Sequence, residues 1–253
     1  VIHETPFPIQ VPKTFKAQGE EPNTSWIGLP ASVQAEEDPL QWVQSKGVVA
    51  RLSQDLEEDF RKSTKETANL IRSIQHDLSA LEWIADPNVV DLAGAIRSDL
   101  QASARHLCER SEAGLRSAGW DVSQATEKAL KLLIRRKGET PPFNHNLGAL
   151  AKHAEWLGAS VIDRGKLAAI PSNRNATDMR YGGRVLLSTI EAAYEAALYI
   201  IRDILFEAKP STEYNFRDTR FKIQRPPWFD FDTEGFLTQL RSAMNSGESG
   251  DHD

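Results

Sequence analysis

The feature that most constrains this chain is an apolar residue at every third or fourth position, sustained from about residue 40 to residue 208. This spacing places apolar side chains on one face of an α-helix. Residues that end or begin helices separate the segments, as at Asp86-Pro87, where the aspartate can cap a helix and the proline fits its first position. The pattern predicts an all-α fold, an up-and-down helical bundle.

The predicted helices differ in length. The spacing indicates one long N-terminal helix, or two collinear ones, over 40–85. It further indicates a second over 87–117, a third from 121 or 123 to 138, a fourth over 144–158, a short one over 163–169 and a long one over 183–208. Gly119 and Trp120 mark the expected turn between the second and third. The last helix carries two apolar faces, which predicts burial on more than one side, at the centre of a bundle or against a second copy.

Both ends of the chain break the helical pattern. Residues 1–39 are interrupted by prolines, which block helices and predict an extended arm: Pro6, Pro8, Pro12, Pro22, Pro30 and Pro39. An aromatic tail over 209–253 combines a strand-like stretch at Phe221 and Ile223 with a short helix. We therefore expect an arm (1–39), a long helix (40–85), a bundle (86–208) and this tail.

Composition excludes several classes of protein. Thirty Lys and Arg face 36 Asp and Glu, a net charge of −6 that disfavours a broad nonspecific nucleic-acid surface but leaves room for a small basic pocket. A single cysteine and the absence of metal-ligand spacing lead us to expect no disulfide framework, metal or cofactor. Without a bilayer-length apolar run or a leader, we expect a cytoplasmic protein with no membrane partner.

Three short motifs follow one another in the second half of the chain. They are Glu127-Lys128-Ala129-Leu130-Lys131, then His145-Asn146-Leu147 with Leu150, then Arg180-Tyr181-Gly182. In this order and spacing, the chain resembles the HEPN (higher eukaryotes and prokaryotes nucleotide-binding) family over about residues 88–208. The resemblance implies a helical bundle that forms a homodimer and binds a nucleotide, RNA or a protein partner, in the setting of a prokaryotic toxin–antitoxin or defence system.

Many HEPN proteins are metal-independent ribonucleases whose motif is an arginine followed, after four to six residues, by a histidine. The arginine stabilises the phosphate and the histidine transfers a proton. Here Arg174-Asn175 and Tyr181 fit the motif in register, but Met179 stands at the histidine position. Methionine cannot transfer a proton, so the resemblance implies binding without catalysis.

The candidate ligand-binding residues are Arg174, Asn175, Arg180, Tyr181, Lys128 and Lys131. For several of these candidate residues, a purely structural role is an open alternative. Lys128 and Lys131 fit a solvated helix face where Glu127 pairs with Lys131, and His145 fits a helix cap. Two other functions also remain open: a ribonuclease with a rearranged site built from His145, Arg174 and Arg180, and an assembly scaffold without a ligand.

Overall fold

The computed structural model describes residues 7–18, 24–44, 47, 51–172, 185–210 and 220–224. It divides the chain into two compact units, one of residues 1–13 and 29–218 and the other of residues 14–28 and 219–253. Six α-helices lie within the described part of the first unit: α1 (Gln54–Leu81), α2 (Pro87–Glu109), α3 (Glu112–Arg136), α4 (Leu147–Trp156), α5 (Arg164–Ala169) and α6 (Leu187–Ala208). The all-α prediction is confirmed.

The core of the first unit is a helical bundle with α3 at its centre. Helix α3 packs along α2 and α6, and α1 packs against α6 and α2. Both α3 and α6 contain small side chains that are fully buried: Ala125 and Ala129 on α3, Ala193 and Ala197 on α6. Helices α4 and α5 lie between α3 and α6 in the chain, and α4 packs on α3 while α5 packs on α6.

The predicted turn at Gly119 and Trp120 is wrong. The chain turns at Arg110, which adopts a left-handed conformation with φ of 54°, and Ser111 caps α3 by accepting a hydrogen bond from the Gly114 N–H at 3.0 Å. Gly119 is buried inside α3. Packing of the surrounding apolar stripe outweighs the cost of about 1 kcal/mol that glycine imposes on a helix.

Helix α1 also begins later than predicted. Residues Pro39–Trp42 form a short 3₁₀ turn capped by Asp38, whose side chain accepts a hydrogen bond from the Leu40 N–H, and α1 starts only at Gln54. The long helix predicted over 40–85 is therefore shortened at its N-terminal end. The other helices fall within their predicted ranges, apart from the shifted junction between α2 and α3.

Helix α6 is buried on both of its apolar faces, as predicted. Ala197 is 0% exposed, and the faces are covered by α1, α2, α3 and α5 of the same chain. The pattern that suggested a second copy therefore has an intramolecular explanation. No helix among the described residues is both long and apolar enough to cross a bilayer.

The proline-rich segment before α1 is anchored by Arg72. This fully buried side chain pairs with Glu37 and donates hydrogen bonds to the carbonyl oxygens of Pro12, at 3.2 Å, and Ser32, at 3.0 Å. Its guanidinium also lies 4.8 Å from the centre of the Trp42 ring. One helix residue thus contacts four points of the segment.

The second unit contains a three-stranded antiparallel sheet. Its strands are β1 (Phe15–Gln18), β2 (Thr24–Gly28) and β3 (Arg220–Gln224), in the order β1-β2-β3. The extended stretch predicted at Phe221 and Ile223 is confirmed as β3. The pairing of this strand with the N-terminal arm was not predicted, because the partners are nearly 200 residues apart in sequence, as the pair Ser25 and Ile223 shows.

Candidate functional site

A buried carboxylate on α3 organises the most distinctive polar cluster of the bundle. Glu127 is only 5% exposed, and it accepts hydrogen bonds from Lys131 Nζ at 2.8 Å and from His145 Nδ1, 3.0 Å from each carboxylate oxygen. An ionised carboxylate is costly to bury unless it is paired and hydrogen-bonded. The predicted pair of Glu127 and Lys131 is present, but its carboxylate is not on a solvated face.

His145 is fixed in one orientation by this carboxylate. An ionised carboxylate only accepts hydrogen bonds, so the proton between the two groups belongs to His145 Nδ1. In the neutral ring, Nε2 is then an acceptor. The side chain is 44% exposed, and no other described residue bonds to Nε2. Within the described part of the chain, His145 Nε2 therefore has no hydrogen-bond partner.

His145 lines a groove of about 690 Å³. One wall is formed by residues 143–148, where the loop after α3 enters α4, and the other includes Arg164 and Leu167 on α5 and extends to Ser172. This volume lies within the range of about 300–1,000 Å³ typical of small-molecule sites.

The two residues that flank His145 are held in a similar way. Asn144 Oδ1 accepts from the N–H of Asn146 at 2.9 Å, and Asn146 Oδ1 accepts from the N–H of Ala149 at 3.0 Å, which caps α4. Asn146 therefore takes the capping role that the sequence left open for His145. Because a backbone N–H is always a donor, these contacts identify the oxygens, and the amide nitrogens have no hydrogen bond to another described residue.

Phe143 completes this wall of the groove. Its side chain is 97% exposed, and the ring follows Pro141-Pro142. The ring meets His145 edge to face, with 5.4 Å between the centroids. An apolar ring so fully exposed, on a stretch stiffened by two prolines, leaves one face open for another flat group.

Positive and negative charges around the groove compensate one another. Arg164 pairs with Glu155 at 2.5 Å, and Lys131 pairs with Glu127. Asp163 accepts a hydrogen bond from the Lys166 side chain, and that bond is the main reason why its pKa lies below the usual value. The groove has a mixed apolar and polar lining, without a strong field of either sign.

The structure separates the two candidate lysines from the groove. Lys128 pairs with Asp99 on α2. Lys131 lines a second, smaller depression of about 450 Å³, together with Arg135 and Asp91. Each lysine has its charge compensated within the bundle.

The remaining candidates lie outside the described residues: Arg174, Asn175, Arg180 and Tyr181, as does Met179. The predicted convergence of His145 with Arg174 or Arg180 therefore stays a prediction. In sequence, these candidates follow Ser172, which lines the groove.

The motif that singled out His145 also contains Asn146, but the sequence did not single out Phe143 or Asn144 as site residues. Phe143, Asn144 and Asn146 carry a signal that was not used: polar residues directly before an apolar stripe are typical of a helix N-cap, and an aromatic residue after two prolines has little chance of packing locally. Among the described residues, no three His, Cys, Asp or Glu side chains come together in a group that could hold a metal ion.

These features define an all-α helical bundle with a groove between the start of α4 and the α5 segment. In comparisons with known proteins, the chain matches no family model, no curated protein and no solved structure.

Proposed function

We propose that this chain is a HEPN-like helical protein that binds a nucleotide or RNA in the groove of His145, without catalysis. The observation that carries the proposal is the arrangement of three consecutive side chains, Asn144, His145 and Asn146. Each uses one polar atom to fix its own position, and its other polar atom has no hydrogen bond to a residue that the structure describes. Groups held in this way bind without first losing conformational entropy.

The groove suits a base better than a phosphate. Arg164, the cation of its described lining, is already paired with Glu155, so the groove attracts a polyanion weakly. A base, in contrast, is flat and polar at its edge, and it matches the exposed Phe143 ring and the free groups beside it. In this proposal, the phosphate is contacted by the candidates that follow Ser172 in sequence: Arg174, Asn175, Arg180 and Tyr181.

Calorimetric titration with the four ribonucleoside monophosphates and a mixed octanucleotide RNA tests the proposal. Asn144→Ala and His145→Ala each remove one hydrogen-bonding group, worth about 1 kcal/mol, and should weaken binding about fivefold. Gln101→Ala, an exposed change on α2, is the control and should leave the affinity unchanged. If neither a nucleotide nor the RNA binds, the proposal is wrong.

A ribonuclease with a rearranged site is the second candidate. Glu127 orients His145 so that Nε2 is free, the arrangement required of a general base that removes a proton from a ribose hydroxyl. The test is cleavage of a mixed RNA pool with chelator present, using His145→Ala and Arg174→Ala as controls. Cleavage that is lost in both variants would replace the binding proposal, whereas intact RNA supports it.

The resemblance also supplies proposals about assembly and setting: a homodimer, a cognate protein partner, and a cytoplasmic role in a toxin–antitoxin or defence system. Because α6 is covered within one chain, the homodimer rests on the resemblance alone. Light scattering measures the assembly state, and a pull-down from the native host identifies co-purified protein and nucleic acid. A dimer that responds to no ligand would favour an assembly scaffold.

A further inference from the structure

The charge of the groove depends on one side chain of its described lining. His145 and Arg164 are the only ionisable residues of that lining, and arginine stays charged throughout the physiological pH range. Arg164 is also compensated by Glu155. Histidine, in contrast, is the residue type whose charge ordinarily changes between about pH 5 and pH 8. Protonation of His145 is therefore the one change of charge that the described lining can undergo near neutral pH.

The contact with Glu127 is compatible with both charge states of His145. Nδ1 carries a proton in the imidazolium and also in the neutral ring that a carboxylate holds, so it can donate to Glu127 at 3.0 Å in either state. Only Nε2 differs, because it is an acceptor in the neutral ring and a donor in the charged ring. Protonation therefore changes the charge of the groove without breaking the contact that positions the ring.

Lys131 determines how this proton affects the net charge. Its ammonium group lies 2.8 Å from the Glu127 oxygen that His145 Nδ1 also contacts, at 3.0 Å. The buried carboxylate is thus already compensated by one full positive charge, and a proton on His145 adds a positive charge that Glu127 does not cancel. The other charged groups around the groove are paired with one another: Arg164 with Glu155, and Asp163 with Lys166.

We propose that the groove binds the phosphodiester anion of RNA more tightly as the pH falls from about 8 to about 5.5, because protonated His145 supplies the uncompensated positive charge that the groove otherwise lacks. This inference rests on the proposed function and specifies how that site is regulated. A phosphate need not touch the imidazole for this effect, since charges at physiological ionic strength interact over about 8 Å.

A mixed octanucleotide RNA is the probe that tests this regulation, because the charge of a phosphodiester does not change over this pH range. In calorimetric titrations, the RNA should bind about fivefold more tightly at the lower pH, the difference expected between a contact to a charged group and one to a neutral group. Added salt should reduce this gain, because screening weakens the attraction between charges.

Protein variants assign the effect to His145. His145→Gln keeps a polar side chain that cannot become charged, so the gain in affinity at low pH should disappear. His153→Gln removes a different histidine, which lies on α4, is paired with Glu139 and is outside the groove lining. This variant is the matched control and should keep the full gain. Thermal unfolding at both pH values confirms that each variant is folded.

Lys131→Met tests the shared carboxylate. His145 is then the only described side chain that donates to Glu127, and the carboxylate attracts its proton without competition from a lysine. The midpoint of the profile of affinity against pH should move to higher pH, and Lys131→Arg should restore the midpoint of the wild type. A purely structural role of Lys131 would lower the affinity at every pH and leave the midpoint in place, which would contradict the sharing of charge.

The outcomes distinguish this inference from the proposed function. RNA that binds equally well at both pH values, or more tightly at the higher one, would keep the function and overturn the regulation by His145. A gain at low pH that persists in His145→Gln would also overturn it. Failure of the RNA and of every nucleotide to bind at either pH would overturn both.

Discussion

At the scale of single residues, the buried guanidinium of Arg72 makes the most contacts that hold the segment before α1 in place. Arg72→Met should destabilise the fold by about 3–5 kcal/mol, because Glu37 would lose its partner and two carbonyl oxygens would lose their donor. Urea unfolding measures the loss. Arg61→Met, which breaks exposed pairs with Asp38 and Glu57, is the control and should cost less than about 1 kcal/mol. Equal losses would contradict the anchoring role of Arg72.

Asp86 gives the fold a pH dependence. Its carboxylate accepts from Arg135 Nε at 2.9 Å and caps α2 through the N–H of Asn88, and the Arg135 bond is the largest cause of a pKa below the usual 3.8. A lowered folded-state pKa stabilises the protein above the unfolded-state pKa, and this contribution disappears as the pH falls through the folded-state value.

Asp86→Asn therefore tests this contribution. It keeps the capping oxygen but removes the charge, so its Tm should lie below that of the wild type at pH 7, and the difference should shrink as the pH falls below 3.8, the usual value of this pKa. In an Arg135→Gln background, Asp86→Asn should have a smaller effect at pH 7. A Tm difference that is unchanged at low pH would show that the charge does not matter.

At the scale of elements, apolar spacing predicted the helices well because packing and periodicity agree. The prediction failed at the α2–α3 junction. Glycine is typical of a turn, but Gly119 lies buried within α3. The true turn, at Arg110 and Ser111, uses a non-glycine residue in the left-handed region. Packing in the tertiary core decides which of these two positions becomes the turn, and a local sequence pattern carries no information about that packing.

The same junction contains a close approach between helices. A Cβ atom on Gly114 would lie 2.7 Å from the backbone oxygen of His106, so Gly114→Ala should destabilise the protein by about 1–3 kcal/mol. Gly94→Ala on α2 is the matched control, since its Cβ would meet nothing within 4 Å, and it should stabilise by about 0.5–1 kcal/mol. Chemical denaturation compares the two. A stabilising Gly114→Ala would show that the junction has room to adjust.

At the scale of the whole molecule, the contacts that sequence reasoning missed are those between distant segments. The helical spacing of Glu127 and Lys131 predicted their ion pair, whereas nothing in the sequence indicated that His145 would share the carboxylate. Likewise, the extended character of Phe221 was predictable but its partner Ile27 was not. Local patterns specify which face a residue occupies, and only the assembled fold specifies what that face meets.

The burial of α6 leads to the last prediction, which concerns assembly. Ala197 is packed among helices of its own chain, so Ala197→Glu would bury an unpaired carboxylate inside one protomer. It should destabilise the fold by about 3–5 kcal/mol and lower the helical signal in circular dichroism on mild heating. Ala192→Glu, at an exposed position on the same helix, should change stability by no more than about 0.5 kcal/mol.

The result also distinguishes folding from association. If α6 is covered by its own chain, Ala197→Glu unfolds the protomer, and any dimer is lost only together with the helical signal. If a second copy supplies the cover, the variant stays helical, and light scattering shows a dimer becoming a monomer. A folded monomer of Ala197→Glu would therefore contradict the intramolecular packing of α6 and provide the support for a homodimer that the single chain does not supply.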